Sequence, residues 1–105
     1  MEESLIKIST SEKGINIVCP VYFDISVAAE LHASLCNLID EKPASVMLDA
    51  KDIEIIDVSI LQTLYAFMRD ASQLDIKVSW INVSDVLCHS AGLLGMKSSL
   101  QLNCQ

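Results

Sequence analysis

Positive charge, glycine and proline are scarce in this chain of 105 residues, which has 7 Lys and Arg together, 3 Gly and 2 Pro. A collagen-like or low-complexity chain needs far more Gly and Pro. Nucleic-acid binding needs clustered Lys and Arg to neutralise phosphates. Here Arg69 is the sole arginine, and the lysines stand singly from Lys7 to Lys97. No basic patch can be read, so a nucleic-acid partner is not expected, and an anionic membrane surface would repel the chain. No apolar run approaches the ~18 residues of a membrane span, which argues against direct membrane insertion. Met1-Glu2-Glu3-Ser4 opens acidic, without the basic and apolar regions of a signal peptide.

The motifs of most catalytic chemistries are missing as well. The chain has no G-x-G-x-x-G, no phosphate-binding G-x-x-x-x-G-K-[ST] and no G-x-S-x-G elbow. Cys19, Cys36, Cys88 and Cys104 form no Cys-x-x-Cys pair, and neither His32 nor His89 lies at zinc-finger spacing from one. These thiols read as reduced, buried or incidental cysteines of a cytoplasmic protein. His32 and His89 are lone helical histidines, and Asp49, Asp52, Glu54 and Asp57 read as a solvated loop. The expectation is a non-enzyme with no catalytic residues, no metal and no cofactor. Nucleotide binding in the acidic loop is a weak alternative, because no cation is placed for the phosphates.

What is present is a dense apolar pattern. Hydrophobic residues make up 51% of the chain, and acidic side chains outnumber basic ones 14 to 7, a net charge of -7. The length suits one domain, taken as 1–105 with a core from about 5 to 102. Leu5–Ser9 and Ile15–Cys19 have β-strand composition around the polar loop Thr10–Gly14, and Pro20 ends the second. From Ser26, a candidate N-cap, Ala28, Leu31, Leu35, Leu38 and Ile39 recur at helical spacing, and Pro43 stops the helix at Lys42. Ser45–Asp49 reads as a central strand, and Ile53, Ile55 and Ile56 are expected to dip into the core.

A second helix is predicted from about Ser59 to Gln73, with Leu61, Leu64, Tyr65, Met68 and Ala71 on its apolar face. Ile76–Ile81 alternates as a strand, a short helix runs from Ser84-Asp85 to about Gly92, and Leu100–Leu102 reads as a weak last strand. This β-β-α-β-α-β-α order predicts an α/β domain with a mixed β-sheet of about four to five strands covered by three to four helices. A free sheet edge permits a homodimer.

One constellation stands at the junction of loop and second helix, Ile56-Asp57-Val58-Ser59-Ile60-Leu61-Gln62. Ser59-x-x-Gln62 has the form of a capping box, a purely structural role. The same position suits a switch. Free amides and the positive end of a helix dipole favour a phosphate there, and phosphorylation adds about -1.5 to -2 charges beside Asp57.

The stretch Val46-Met47-Leu48-Asp49-Ala50-Lys51-Asp52-Ile53-Glu54-Ile55-Ile56-Asp57-Val58-Ser59-Ile60-Leu61 resembles the signature of STAS domains, shared by anti-sigma factor antagonists and sulphate transporters. Val83–Leu93, with Gly92-Leu93 at its end, resembles the third helix of that family, and the element order agrees from about Leu5 to Leu102. Two residues depart from the pattern: Ile60 stands where Gly is usual, and Gln62 where a small residue is common. The resemblance implies a STAS-like fold and regulation through protein–protein contact. In antagonist-type members the acceptor is phosphorylated by a partner that is both serine kinase and anti-sigma factor, only the unphosphorylated form binds that partner, and a phosphatase restores it. Ser59 matches the phospho-acceptor, and the implied partner surface is Asp24, Asp57, Val58, Ser59, Ile60, Gln62 and Thr63. The alternative the family offers is a non-catalytic subunit of a lipid-transport ABC system, holding its ATPase without phosphorylation.

Overall fold

The computed structural model describes residues 6–12 and 14–104. Strand β1 (Lys7–Ser11) forms a hairpin with β2 (Gly14–Val18), and Ser11 pairs with Gly14. Pairing therefore runs further into the expected polar loop than composition suggested; Leu5, placed in the first strand from sequence, lies outside the described residues. Gly14 is required by geometry. Its φ is +127°, and a Cβ there would stand 2.5 Å from the Ser45 carbonyl oxygen.

β2 pairs in parallel with β4 (Ser45–Asp49), which pairs in parallel with β6 (Lys77–Ile81), giving the order β1-β2-β4-β6. The crossovers are α1 (Ala28–Glu41) and α2 (Val58–Gln73). Alternation along the strands decides which face they cover. Ile8, Ile17, Leu48 and Trp80 lie in one row across the sheet, and Thr10, Ile15, Val46 and Val78 in another. The central members of these rows join Leu31, Leu35 and Leu38 of α1 and Leu61, Leu64 and Met68 of α2 in one core. Each such side chain contributes about 1.5–3 kcal/mol by leaving water.

Two short strands were not anticipated. β3 (Tyr22–Phe23) pairs in parallel with β5 (Ile55–Ile56) in a separate ribbon, so the expected sheet of four to five strands is a sheet of four plus a ribbon of two. Ile53 is buried as expected, whereas Ile55 is exposed. On α2, Phe67 takes the core position that the helical pattern had given to Tyr65, which is exposed.

Helix ends refine the capping assignments. Asp24, not Ser26, opens the first helical segment: its carboxylate accepts from the Ser26 amide (3.0 Å), starting a 3-10 turn at Ile25–Val27 that leads into α1. α1 ends at Glu41, with Lys42 in the left-handed region (φ 51°) immediately before Pro43. α3 (Asp85–Leu93) is capped by Ser84, whose hydroxyl accepts from the Leu87 amide at 3.2 Å.

Leu100–Leu102 is not a strand. This segment turns back on itself, burying Leu100 completely, and the Leu100 carbonyl accepts from Trp80 Nε1 at 2.8 Å. That anchor returns the tail toward α3, where Cys104 is joined to Cys88 in a disulfide. The expectation of uniformly reduced thiols is corrected accordingly: Cys19 and Cys36 are free, and Cys88 and Cys104 are paired.

Candidate functional site

The site is built where two chain segments meet at the start of α2. β5 delivers Asp57 beside β3, and the Asp57 amide donates to the Phe23 carbonyl (3.1 Å). The Asp57 backbone opens the helix, its carbonyl accepting from Ile60 (3.1 Å) and Leu61 (3.2 Å). Asp57 is therefore the N-cap residue by backbone, and Ser59 lies one residue inside the helix. The Ser59–Gln62 capping box does not form. An N-cap needs extended backbone, which Asp57 has and a residue within the first turn lacks.

The Asp57 side chain makes no bond to its own helix. Its Oδ2 instead accepts from the Ile25 amide at 3.1 Å, tying α2 to the 3-10 turn. Asp24 lies in that same turn. Hydrogen bonds from the Ser26 hydroxyl and then the Ser26 amide hold its carboxyl below the usual carboxylate range. Asp24 and Asp57, distant in sequence, are thus brought to one place.

Around them lie large apolar side chains in water. Ile25 is 70% exposed, Tyr22 59%, and Ile55 and Val58 49% each. Tyr22 stands opposite Ile55 in the β3–β5 ribbon, while Ile25 donates its amide to Asp57 and Val58 follows Asp57 in the chain. Exposed Asp52 and Glu54 add negative charge from the same loop. Singly exposed apolar residues are ordinary, but a grouped patch rimmed by polar residues marks an interaction surface. Sequence reading missed Tyr22, Ile25 and Ile55, because only the ribbon brings them together. The available signal was Val21-Tyr22-Phe23 directly after Pro20, an apolar run with no helix or sheet partner assigned.

The remaining expected site residues separate according to helical rotation. Val58 faces the patch. Ile60, fully buried, belongs to the core and offers no side-chain surface to a partner. Ser59, Gln62 and Thr63 line a groove of about 530 Å³ between α1 and α2. Thr63 Oγ1 donates to the Ser59 carbonyl at 2.9 Å, while the Ser59 Oγ is buried without a hydrogen-bond partner. Of the acidic loop, Asp49 is buried, accepting from the Lys51 amide (3.0 Å) and Asn82 Nδ2 (3.2 Å). It closes the loop, and it does not converge with Asp57.

A mixed sheet with helical crossovers and an exposed apolar–acidic patch at a helix start defines a domain organised around a surface. The family model for the STAS domain matches residues 14–103. The chain belongs to the STAS domain family. Among solved structures, it is similar to an anti-sigma factor antagonist from Mycobacterium paratuberculosis (TM-score 0.77, 13% identity, covering 95% of this chain and 85% of that one). It is also similar to the Bacillus cell fate determinant SpoIIAA in the phosphorylated form (TM-score 0.71, 11% identity, 95% and 92% coverage). A third is a sulfate transporter family protein from Wolinella succinogenes (TM-score 0.69, 22% identity, 81% and 69% coverage). At these identities the likeness establishes the fold. No curated protein is similar in sequence at a significant level. Among the described residues, no helix is long and apolar enough to cross a membrane.

Proposed function

We propose that this domain is a cytoplasmic phosphorylation switch of the anti-sigma factor antagonist kind, binding a serine kinase/anti-sigma-type partner when unphosphorylated and released by phosphorylation at Ser59. The observation that supports this reading is the position of Ser59 in the first turn of α2, next in the chain to exposed Val58 and two residues from Asp57, whose carboxylate holds the Ile25 amide. The patch supplies apolar contact area, and Asp24, Asp52, Glu54 and Asp57 favour a partner with a basic rim. Ile60 contributes by seating the helix on the core.

The chemistry belongs to the partner. The Ser59 hydroxyl attacks the γ-phosphorus of ATP held by the kinase, ADP leaves, and the hydroxyl proton passes to a base of that enzyme. The buried Ser59 Oγ must first rotate out of its present position. Once formed, the phosphate lies in the first turn of α2, where the helix dipole and amides without a side-chain cap stabilise it. Its two negative charges beside Asp57 oppose the surface that the unphosphorylated form presents. A phosphatase reverses the step by hydrolysis.

The test is the phosphorylation state of protein recovered from growing cells, mapped by peptide mass spectrometry. A single phosphate on Ser59, lost in Ser59→Ala, supports the reading. Normal modification of the alanine variant overturns the site. Ser59→Glu is expected to release a partner that co-purifies with the wild type. The burial of the Ser59 Oγ favours a second reading that needs no phosphate, a non-catalytic subunit of a lipid-transport ABC system. That subunit would retain its ATPase equally well in wild type and Ser59→Glu.

A further inference from the structure

The shortest α-helix has little packing of its own. α3 spans nine residues and buries only Leu87 and Ala91, and a helix of that length is marginal without tertiary support. The tail beyond it is anchored independently. Met96 donates its amide to the Ala91 carbonyl (2.8 Å), Leu102 donates to the Lys97 carbonyl (2.9 Å), and the carbonyl of buried Leu100 accepts from Trp80 Nε1. The Cys88–Cys104 disulfide staples α3 to this anchored tail. α3 also packs against β5, which sets Ile55 opposite Tyr22 in the exposed patch.

We propose that Cys88–Cys104 is a redox site that takes a dithiol reductant and works as a reversible latch, holding α3 on the β3–β5 ribbon when oxidised and letting α3 open locally when reduced. The bond is reachable: both cysteines are half-buried and border a cleft of about 430 Å³ with Trp80, Val83, Asp85 and Asn103. A thiolate of the dithiol attacks one sulfur, the Cys88–Cys104 bond breaks, and a mixed disulfide forms. The second thiol of the reductant then displaces the protein. The dithiol leaves as a cyclic disulfide, and its two electrons and two protons pass to Cys88 and Cys104. Closure is the reverse exchange with a small-molecule disulfide, which leaves as two thiols.

Reversibility follows from the anchor. Leu100 and its bond from Trp80 hold the tail four residues before Cys104 whether or not the disulfide is present, so reclosure is an intramolecular step at high effective concentration. The response reaches the patch through α3, because loss of the staple leaves only Leu87 and Ala91 to keep that helix beside β5. Disulfides of cytoplasmic proteins are ordinarily transient or redox-sensing. The link to regulation therefore rests on the cytoplasmic switch proposed for this domain, whose patch oxidation fixes and reduction loosens.

The experiment compares the full chain as oxidised, after dithiothreitol in native buffer, and after return to oxidised glutathione. Peptide mapping follows the Cys88–Cys104 link, circular dichroism follows the fold, and hydrogen exchange follows the amides. Dithiothreitol should open the link with the fold retained, and oxidised glutathione should restore it. In the reduced chain, exchange should rise roughly three- to tenfold in α3 and at the Ile55 and Asp57 amides, which donate to Val21 and Phe23 across the ribbon, with α1 and β4 unchanged. Cys104→Ser should show the fast pattern without reductant. A link that resists dithiothreitol in the folded chain overturns the site, and loss of the fold on reduction makes the bond purely structural. Unchanged exchange at Ile55 and Asp57 in both the reduced chain and Cys104→Ser overturns the latch. No partner and no phosphate enters these readouts, so failure of the latch and failure of the Ser59 switch are told apart.

Discussion

Asp57 Oδ2 accepts the backbone amide of Ile25 at 3.1 Å, a bond that spans 32 residues of sequence and fixes the exposed 3-10 turn against the start of α2. It couples the exposed patch to the helix: moving the start of α2 moves Ile25, the most exposed apolar residue next to it.

Asp57→Ala should therefore loosen the turn with little effect on the core. The bond is exposed and the freed amide can turn to water, so the expected loss is about 0.5–1.5 kcal/mol in a denaturant titration. Asp57→Asn keeps an acceptor oxygen and should lose less than half as much. Faster hydrogen exchange at Ile25 in the alanine variant, with α1 and β4 unaffected, would locate the effect; unchanged exchange at Ile25 would mean the bond does not hold the turn.

Ile60 gives a larger effect for a different reason. It occupies a position where glycine is usual in the family signature, yet here its side chain is fully buried in the core. Ile60→Gly removes that packing, about 2–5 kcal/mol for an alanine truncation, and adds about 1 kcal/mol for glycine within a helix. Chemical denaturation should show a combined loss of roughly 3–6 kcal/mol. A loss below about 1 kcal/mol would contradict the core placement of this residue.

Cys19 predicts how stability changes in alkali. Burial first, and the nearby Asp49 charge second, push its thiol from 9.0 up to about 12. The folded state thus holds the proton more tightly than the unfolded one. The associated stability is complete below pH 9.0 and declines as pH rises toward the folded value of about 12. The slope has a ceiling of about 1.4 kcal/mol per pH unit. Between pH 8 and about pH 10.5, wild type should lose up to about 2 kcal/mol more than Cys19→Ala, measured as the change in unfolding free energy. Parallel pH profiles for the two proteins would show that the buried thiol is not linked to folding.

The Cys88–Cys104 bond closes a loop with a sequence separation of 16. Constraining a loop of this size is worth about 3 kcal/mol in the unfolded state. Cys104→Ser should lower stability by about 2–3 kcal/mol and leave the sheet intact, because buried Leu100 and its bond from Trp80 still hold the tail. Unchanged stability on reduction of the wild type would show that this covalent link adds nothing to the packing.

Much of the framework was legible in one dimension. The 3.6-residue recurrence of Leu31, Leu35 and Leu38 can bury only one helical face, and proline at 43 denies the next turn its hydrogen bond. The start of α3 at Ser84-Asp85 was readable because the Ser84 hydroxyl acts within three residues of itself. The Asp57–Ser59 segment stood out for the same reason, as a local helix-start pattern followed by an apolar stripe.

Local pattern alone did not assign the roles within that segment. Ser59 looked like the cap because serine commonly is one, but the parallel pairing of β3 and β5 sets Asp57 in extended backbone and moves the cap two residues earlier. Rotation by about 100° per residue then sends Val58 to the patch, Ser59 to the groove and Ile60 to the core. The sequence by itself determined the three helices and the four strands of the main sheet, since these depend on periodicity and backbone chemistry nearby. Tertiary structure decided which distant residues became neighbours: Asp57 with Ile25, Tyr22 with Ile55, and Cys88 with Cys104. These contacts join segments that only the packing of helices on a shared sheet brings within reach.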